Sequence, residues 1–342
     1  TAREEQQFTH GDHNDGQPVW SPDGRQIAFV STRDKKTGIY TMPTTGGAEK
    51  QLIEIEGTMI DLQWTPDGKQ LLFCLRYNDS HFIKDEKKKK EPPVSRHITR
   101  LFYREDGSGF LPKDTFQVYT LDVTSGKLKK ITRGRRDNFF VRIAPNGKLI
   151  IYVSNRDRDP DMYGLHLDLF VMSLTGRKER RIPTPTGPVI APCICPDGKN
   201  VAYLGHERPR DAWGVANMHL WKVGLSGQPK AADLMPKFDR MAYDQSITDT
   251  GDVGEVSSPA WSADGKRIFF LSSDTGVTNL FSLPSKGGRP TRIFDGKCHI
   301  KGYSVNGKTR TAALIHADLS NPGEIVVCPT QYDGANKAVR CT

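Results

Sequence analysis

Trp20-Ser21-Pro22-Asp23-Gly24 and Trp64-Thr65-Pro66-Asp67-Gly68 open a series of six related stretches. It continues with Ile143-Ala144-Pro145-Asn146-Gly147, Ile194-Cys195-Pro196-Asp197-Gly198, Trp261-Ser262-Ala263-Asp264-Gly265 and Tyr303-Ser304-Val305-Asn306-Gly307. Each sets an aromatic or β-branched residue before a small one and ends on Asp-Gly or Asn-Gly. The chemistry is that of a hairpin: Pro presets φ at the first turn position, Asp or Asn tolerates the next, and Gly takes the left-handed position that closes it. A short apolar run follows, such as Ile27-Ala28-Phe29-Val30, Leu71-Leu72-Phe73-Cys74 or Ile268-Phe269-Phe270-Leu271. Unbroken apolar runs of this length suit strands covered on both faces.

Working outward, a further strand follows in each unit, for example Gly38–Met42, Gln117–Leu121, Asp168–Met172 and Asn279–Leu283. A Gly-containing turn and a more polar strand then close the unit, as in Ser125–Thr132. The six glycines are spaced 44, 79, 51, 67 and 42 residues apart; the short intervals match one four-stranded blade and the long ones a blade plus an insertion. The fold expected is therefore all-β, a β-propeller with six recognisable repeats and six or seven blades. Residues 1–342 read as a single propeller domain. Arg3–Thr9 and Lys337–Cys341 both look like closing fourth strands, which favours a seven-bladed parent lacking part of its first blade here.

Composition agrees, since 32 Gly and 22 Pro in 342 residues are what many turns consume. No run of about 18 apolar residues occurs, so no membrane helix is expected, and the N-terminus has no apolar segment of a signal peptide. The net charge of +9 is scattered, apart from Lys87-Lys88-Lys89-Lys90, which acidic neighbours flank; a solvated loop is expected there rather than a nucleic-acid site. Six cysteines without CxxC spacing suggest neither zinc nor redox chemistry, and lean toward a reducing, cytoplasmic setting.

Between Leu75 and Phe116 (about 76–115) the second unit carries some forty extra residues. Within them Arg100-Leu101-Phe102-Tyr103-Arg104-Glu105-Asp106-Gly107-Ser108-Gly109-Phe110 resembles the Arg-Tyr-Arg-Asp-Gly-x-Gly insertion in propellers of acylaminoacyl peptidases and dipeptidyl-peptidase-V-like enzymes, members of the prolyl oligopeptidase family. Val153-Ser154-Asn155-Arg156-Asp157, Asp159-Pro160-Asp161 and Gly205-His206-Glu207 agree with it. The resemblance spans essentially the whole chain, although the turn motif is shared with TolB-like propellers. It implies a propeller standing over an α/β-hydrolase domain, whose loops gate and orient a peptide substrate. Arg100, Tyr103, Arg104 and Glu105 are then the substrate-binding candidates, since a Tyr and two Arg suit a carbonyl or carboxylate. The rival role for these four is to pin the insertion to the neighbouring blade.

No Gly-x-Ser-x-Gly elbow is present, so no catalytic residue is assigned and no hydrolase domain is expected within these residues. The nearest stretch, Gly302–Gly307, is the sixth turn. The resemblance places Thr342 about where a linker to a hydrolase domain would begin. No cofactor or metal is expected. His10 and His13 near Asp12 and Asp15 read as a solvated turn, Asp157, Asp159 and Asp161 as counter-charges to Arg156 and Arg158, and Asp249, Asp252 and Glu255 as an acidic connection. The partners implied are the hydrolase domain and a peptide, with neither nucleic acid nor membrane. The competing function is a stand-alone TolB-like scaffold that binds protein or glycan. Inside the insertion, Lys84–Pro93 has little to bury and is expected to be mobile. Ile98–Leu111 is expected to form an ordered hairpin that buries Leu101, Phe102, Tyr103 and Phe110, with Arg100 and Arg104 on one strand face.

Overall fold

The computed structural model describes residues 7–90, 95–106, 108–209, 216–246, 256–331 and 339–341. The first sheet runs β1 (Asn14–Trp20), β2 (Gln26–Arg33), β3 (Lys36–Pro43), β4 (Lys50–Ile55). The second runs β5 (Gly57–Trp64), β6 (Gln70–Tyr77), β9 (Gln117–Asp122), β10 (Leu128–Lys130), with β7 (Arg104–Glu105) and β8 (Gly109–Phe110) paired separately inside the insertion. The third comprises β11 (Phe139–Ile143), β12 (Leu149–Ser154), β13 (Asp168–Ser173) and β14 (Arg180–Ile182). The fourth is β15 (Val189–Ile194), β16 (Asn200–Gly205), β17 (His219–Gly224), β18 (Ala232–Asp233). Two more four-stranded units, β19 (Ala260–Trp261), β20 (Arg267–Asp274), β21 (Val277–Pro284), β22 (Thr291–Arg292) and β23 (His299–Asn306), β24 (Thr311–Ala317), β25 (Glu324–Pro329), β26 (Val339–Arg340), are joined by one parallel pairing, Thr278 with His299. The protein is a β-propeller. By internal contacts it divides into two compact units, Gln7–Arg181 and Ile182–Thr342.

Each quoted stretch lies at the junction of the first and second strand of its sheet, and the first five make one turn. Ser21 Oγ donates to Asp23 Oδ1 (2.6 Å) and accepts from Gln26 N (2.9 Å), while Arg25 N also donates to Asp23 Oδ1 (3.1 Å). Thr65 with Asp67 and Ser262 with Asp264 repeat this network. The hydroxyl and backbone donors hold the Asp23, Asp67 and Asp264 carboxyls below the usual range. Gly24, Gly68, Gly147, Gly198 and Gly265 close these turns at φ of 67–71°, which a Cβ would strain. The sixth turn departs from the expectation. Gly307 is not left-handed; Asn306 Oδ1 accepts from Lys308 N and Thr309 N, and Arg310 takes the positive φ (54°). Ala263 shows that Pro is not required; at the sixth position the β-branched Val305 favours extended backbone, so the strand continues to Asn306 and the reversal falls later.

The second strands are buried on both faces, as their apolar runs demand: β6 buries Leu71, Leu72, Phe73, Cys74 and Leu75 completely. Alternate residues then enter different cores. Leu71, Phe73 and Leu75 pack with Ala28, Ile39 and Trp64, while Leu72 and Cys74 pack with Ile150, Tyr152 and Phe170 of the third sheet. The first strands carry a feature without a sequence signature. Five of them have a register shift, at Gly16/Val19, Ile60/Gln63, Phe139/Arg142, Ile190/Cys193 and Ile300/Gly302. The bulge turns side chains onto the next sheet. Gln17 donates to Met59 O and accepts from Leu62 N; Asp61 accepts from Val141 N and pairs with Arg142 (2.9 Å). The anchor aromatics complete the stapling. Trp64 Nε1 donates to Val19 O (3.1 Å), Trp261 Nε1 to Cys193 O (3.2 Å), and Tyr303 OH to Ser258 O and Phe269 O.

The predicted closing strand at the C-terminus is present as β26, paired with β25. Arg3–Gln6 lie outside the described residues, and Gln7–Thr9 form no strand. Asp249, Asp252 and Glu255 also lie outside them.

Candidate functional site

Because the anchor turns join first and second strands, the connections between second and third strands leave from the opposite rim. In the second sheet that connection is 78–116, and in the adjacent third sheet it is 155–167. Their shared rim is the candidate site.

The base of the insertion is tied by two carboxylates: Tyr77 N donates to Asp114 Oδ2 (3.0 Å) and Lys113 N to Asp79 Oδ1 (2.9 Å). A 3-10 turn over Asp79–Phe82 and a short helix, α1 (Glu86–Lys90), follow. Lys89 is not free in solvent as the run of lysines suggested; its Nζ meets Glu56 Oε1 at 2.9 Å. The expected mobility of Lys84–Pro93 falls partly on residues 91–93, which lie outside the described ones. The predicted hairpin is there, with Arg104 opposite Phe110 and Glu105 opposite Gly109.

Two expectations about it are overturned. Its apolar residues are not buried: Leu101 is 65% and Phe102 56% exposed, and Tyr103 and Phe110 are exposed too. Nor do Arg100 and Arg104 share a strand face, because the strand is only Arg104–Glu105 and Arg100 stands before it in a bend. Two-residue strands bury too little to draw four apolar side chains inward. Tyr103 packs its ring near that of Phe110 (6.1 Å between centroids), and Arg96 and Arg104 approach the Phe110 ring at 4.2 and 5.8 Å.

Arg100 instead reaches the loop of the third sheet. Its Nη2 meets Asp161 Oδ1 at 2.9 Å, and Leu101 N donates to Asp161 Oδ2 at 2.9 Å. Burial alone would raise the Asp161 carboxyl, but the hydrogen bonds and charge of Arg100 outweigh it and leave the group below the usual range. Two of the loop's aspartates are counter-charges, though not to the nearby arginines, and Asp159 pairs with neither Arg156 nor Arg158. Asp157 Oδ2 meets His166 Nδ1 (2.5 Å) and Asp161 meets Arg100, whereas Arg156 pairs with Glu179 and lies over the Phe170 ring. His166 also stacks on Tyr163 (4.9 Å), which with Met162 is exposed beside the hairpin loop. The four candidates thus divide. Arg100 locks insertion to neighbour, while Tyr103, Arg104 and Glu105 are displayed on the hairpin.

Two groups at this rim carried no signal in the sequence beyond an Arg ending an apolar strand and an Asp in a turn. Arg76 stands at the end of β6, and Asp137 just before β11. Elsewhere, His13 meets Asp15 at 3.4 Å. Ser304, in the stretch nearest to a nucleophile elbow, lies exposed within β23. Among the described residues no three His, Cys, Asp or Glu side chains gather as metal ligands.

The fold is a β-propeller with a long insertion on one rim, and comparison with known proteins gives its family. The model of the acylaminoacyl-peptidase N-terminal β-propeller domain matches residues 5–228, and the chain belongs to that family. It is 27% identical over 339 residues to the uncharacterized peptidase YuxL of Bacillus subtilis, covering 96% of this chain and 50% of that protein. It is 26% identical over 322 residues to dipeptidyl-peptidase 5 of Porphyromonas gingivalis, covering 90% and 44%. The chain therefore spans about half the length of these relatives. The acylaminoacyl peptidase of Pyrococcus horikoshii superposes with a TM-score of 0.67 at 16% identity, over 96% of this chain and 45% of that one.

Proposed function

We propose that this chain is the non-catalytic propeller of a serine peptidase of the acylaminoacyl or dipeptidyl type, and that it gates and orients a peptide above a separate α/β-hydrolase domain. The observation that carries this reading is the rim itself. An insertion locked to the next blade through Arg100–Asp161 displays Leu101, Phe102, Tyr103 and Phe110 to solvent, beside the exposed Arg104 and Glu105. A lone propeller gains nothing from exposing four large apolar side chains, whereas a domain seated on this rim would cover them. Tyr103, Arg104 and Glu105 then face the peptide, and Arg100 holds them in place.

The test uses the longer protein that joins this chain to its hydrolase domain. Arg104→Ala is expected to lower kcat/KM on peptide substrates by about tenfold, the worth of one charge-assisted hydrogen bond, without lowering Tm. The chain alone is expected neither to hydrolyse acylaminoacyl or dipeptidyl substrates nor to react with a fluorophosphonate. An unaltered kcat/KM would reduce the insertion to a structural decoration, and stoichiometric labelling of the chain would reveal a nucleophile of its own.

A further inference from the structure

Where the insertion leaves β6, Arg76 and Asp137 both contact Phe116, one at its ring and the other at its backbone N–H, and do not pair with each other. Arg76 lays its guanidinium over the Phe116 ring, 4.4 Å from the centroid. Its Nε is buried with no hydrogen-bond acceptor, and no carboxylate among the described residues comes within 4.0 Å of it. Asp137 is the strongest charged neighbour of Arg76, and Arg76 is the strongest of Asp137. Yet the carboxyl spends one oxygen on Phe116 N (2.8 Å), and no donor among the described residues reaches the other. Burial lowers the Arg76 guanidinium below its ordinary range and raises the Asp137 carboxyl above its own, so each is held at a cost that pairing would relieve. Glu105 and Asp114 also act on Arg76 but neither forms an ion pair with it; Glu105 is exposed on the hairpin, Asp114 accepts from Tyr77 N, and Arg100 is occupied by Asp161.

A buried donor without an acceptor, beside an acceptor without a donor, has the polarity of a peptide group's complement. An extended residue presents its own C=O and N–H side by side in one direction, as in an antiparallel ladder. We propose that Arg76 and Asp137 clamp the main chain of an extended peptide, Arg76 donating to a carbonyl oxygen and the second carboxylate oxygen of Asp137 accepting the neighbouring N–H. The clamp lies at the base of the insertion that displays Tyr103 and Arg104, so it rests on the reading of this rim as a peptide-handling surface. It adds to that reading a main-chain site that is indifferent to side-chain identity.

The test measures binding to the chain itself, with no hydrolysis read, by titrating blocked acetyl-trialanine amide and following chemical shifts. Binding in the millimolar range is expected. Arg76→Met, which keeps the stem on Phe116, is expected to weaken it by about tenfold, and Asp137→Asn, which keeps the acceptor for Phe116 N, by about threefold to tenfold. Arg76→Lys should bind better than Arg76→Met. Arg76→Met and Asp137→Asn should each lower Tm by no more than about 1–2 °C, since a ring contact and a charge attraction are lost but no hydrogen-bonded pair is. The proposal is overturned if the blocked peptide does not bind, if Arg76→Met binds it as well as the parent, or if only the free acid trialanine binds, which would make Arg76 a carboxylate receptor instead. A fall in Tm of several degrees in Arg76→Met would overturn it too, by giving Arg76 a structural role. A response of kcat/KM to Arg104→Ala, with binding unmoved by Arg76→Met, would keep the gating function and discard the clamp.

Discussion

Asp244 shows how one carboxylate can fasten a connection to two sheets at once. Its Oδ1 accepts from Thr278 Oγ1 (2.9 Å) and Ser246 N (3.0 Å), and its Oδ2 meets His299 Nε2. Burial pushes the carboxyl up, but the hydrogen bonds from His299, Ser246 and Thr278 outweigh it, and the group lies below the usual range. A carboxyl depressed by folding stabilises the protein above its unfolded value, near pH ~4, and loses that contribution as pH falls through the lower folded value. Asp244→Asn is therefore expected to cost about 1–3 kcal/mol at neutral pH. The difference from the parent should shrink as pH drops below ~4, as urea melts across pH would report. A constant difference at all pH values would mean that shape, not charge, matters at this position.

At the scale of the element, the insertion is held less by its own hairpin than by its neighbour. The paired strands are two residues each, and their apolar side chains face outward. The Asp161 side chain is only 9% exposed and receives both Arg100 and Leu101 N. Removing the guanidinium leaves a largely buried carboxylate with one backbone donor. Arg100→Ala is thus expected to destabilise the rim by about 1–3 kcal/mol. Hydrogen exchange should then rise over 98–111 and 155–167 together and stay unchanged in β12 and β13. Exchange confined to the insertion would show that Asp161 finds another partner.

Among the described residues, Phe82, Leu101, Phe102, Tyr103, Phe110, Met162 and Tyr163, all from the connections of the second and third sheets, form a group of exposed large apolar side chains, while Trp20, Ile315, Leu319, Ile325 and Val339 are exposed at other places. A patch of this kind binds hydrophobic dyes and promotes self-association when its partner is missing. The chain by itself is expected to bind anilinonaphthalene sulfonate, and Leu101→Ser with Phe102→Ser to bind it less at unchanged Tm. The longer protein with its hydrolase domain should also bind less dye per molecule. Equal binding by all three would place the dye elsewhere and remove the patch from the account.

What the sequence determined by itself was whatever is local and repeated. A Pro or small residue, then Asp-Gly, sets a turn through φ preferences and a hydroxyl–carboxylate bond within five residues, and the apolar run behind it must be buried on both faces. From Trp20–Gly24 and its repeats the four-stranded units could be counted, and the hairpin around Gly109 was legible for the same reason. The sixth turn misled because β-branched Val305, where the other stretches carry Pro or Ala, favours extended backbone and carries the strand through the motif. Tertiary structure alone decided the rest. The bulges at Gln17 and Asp61 answer to the neighbouring sheet, not to their own residues. The partner of Arg100 lies 61 positions away, and the partners of Asp157 and Asp161 were not the adjacent arginines. Arg76 and Asp137 became noteworthy only once packing had removed their water without joining them, since desolvation depends on neighbours that no local pattern of residues contains.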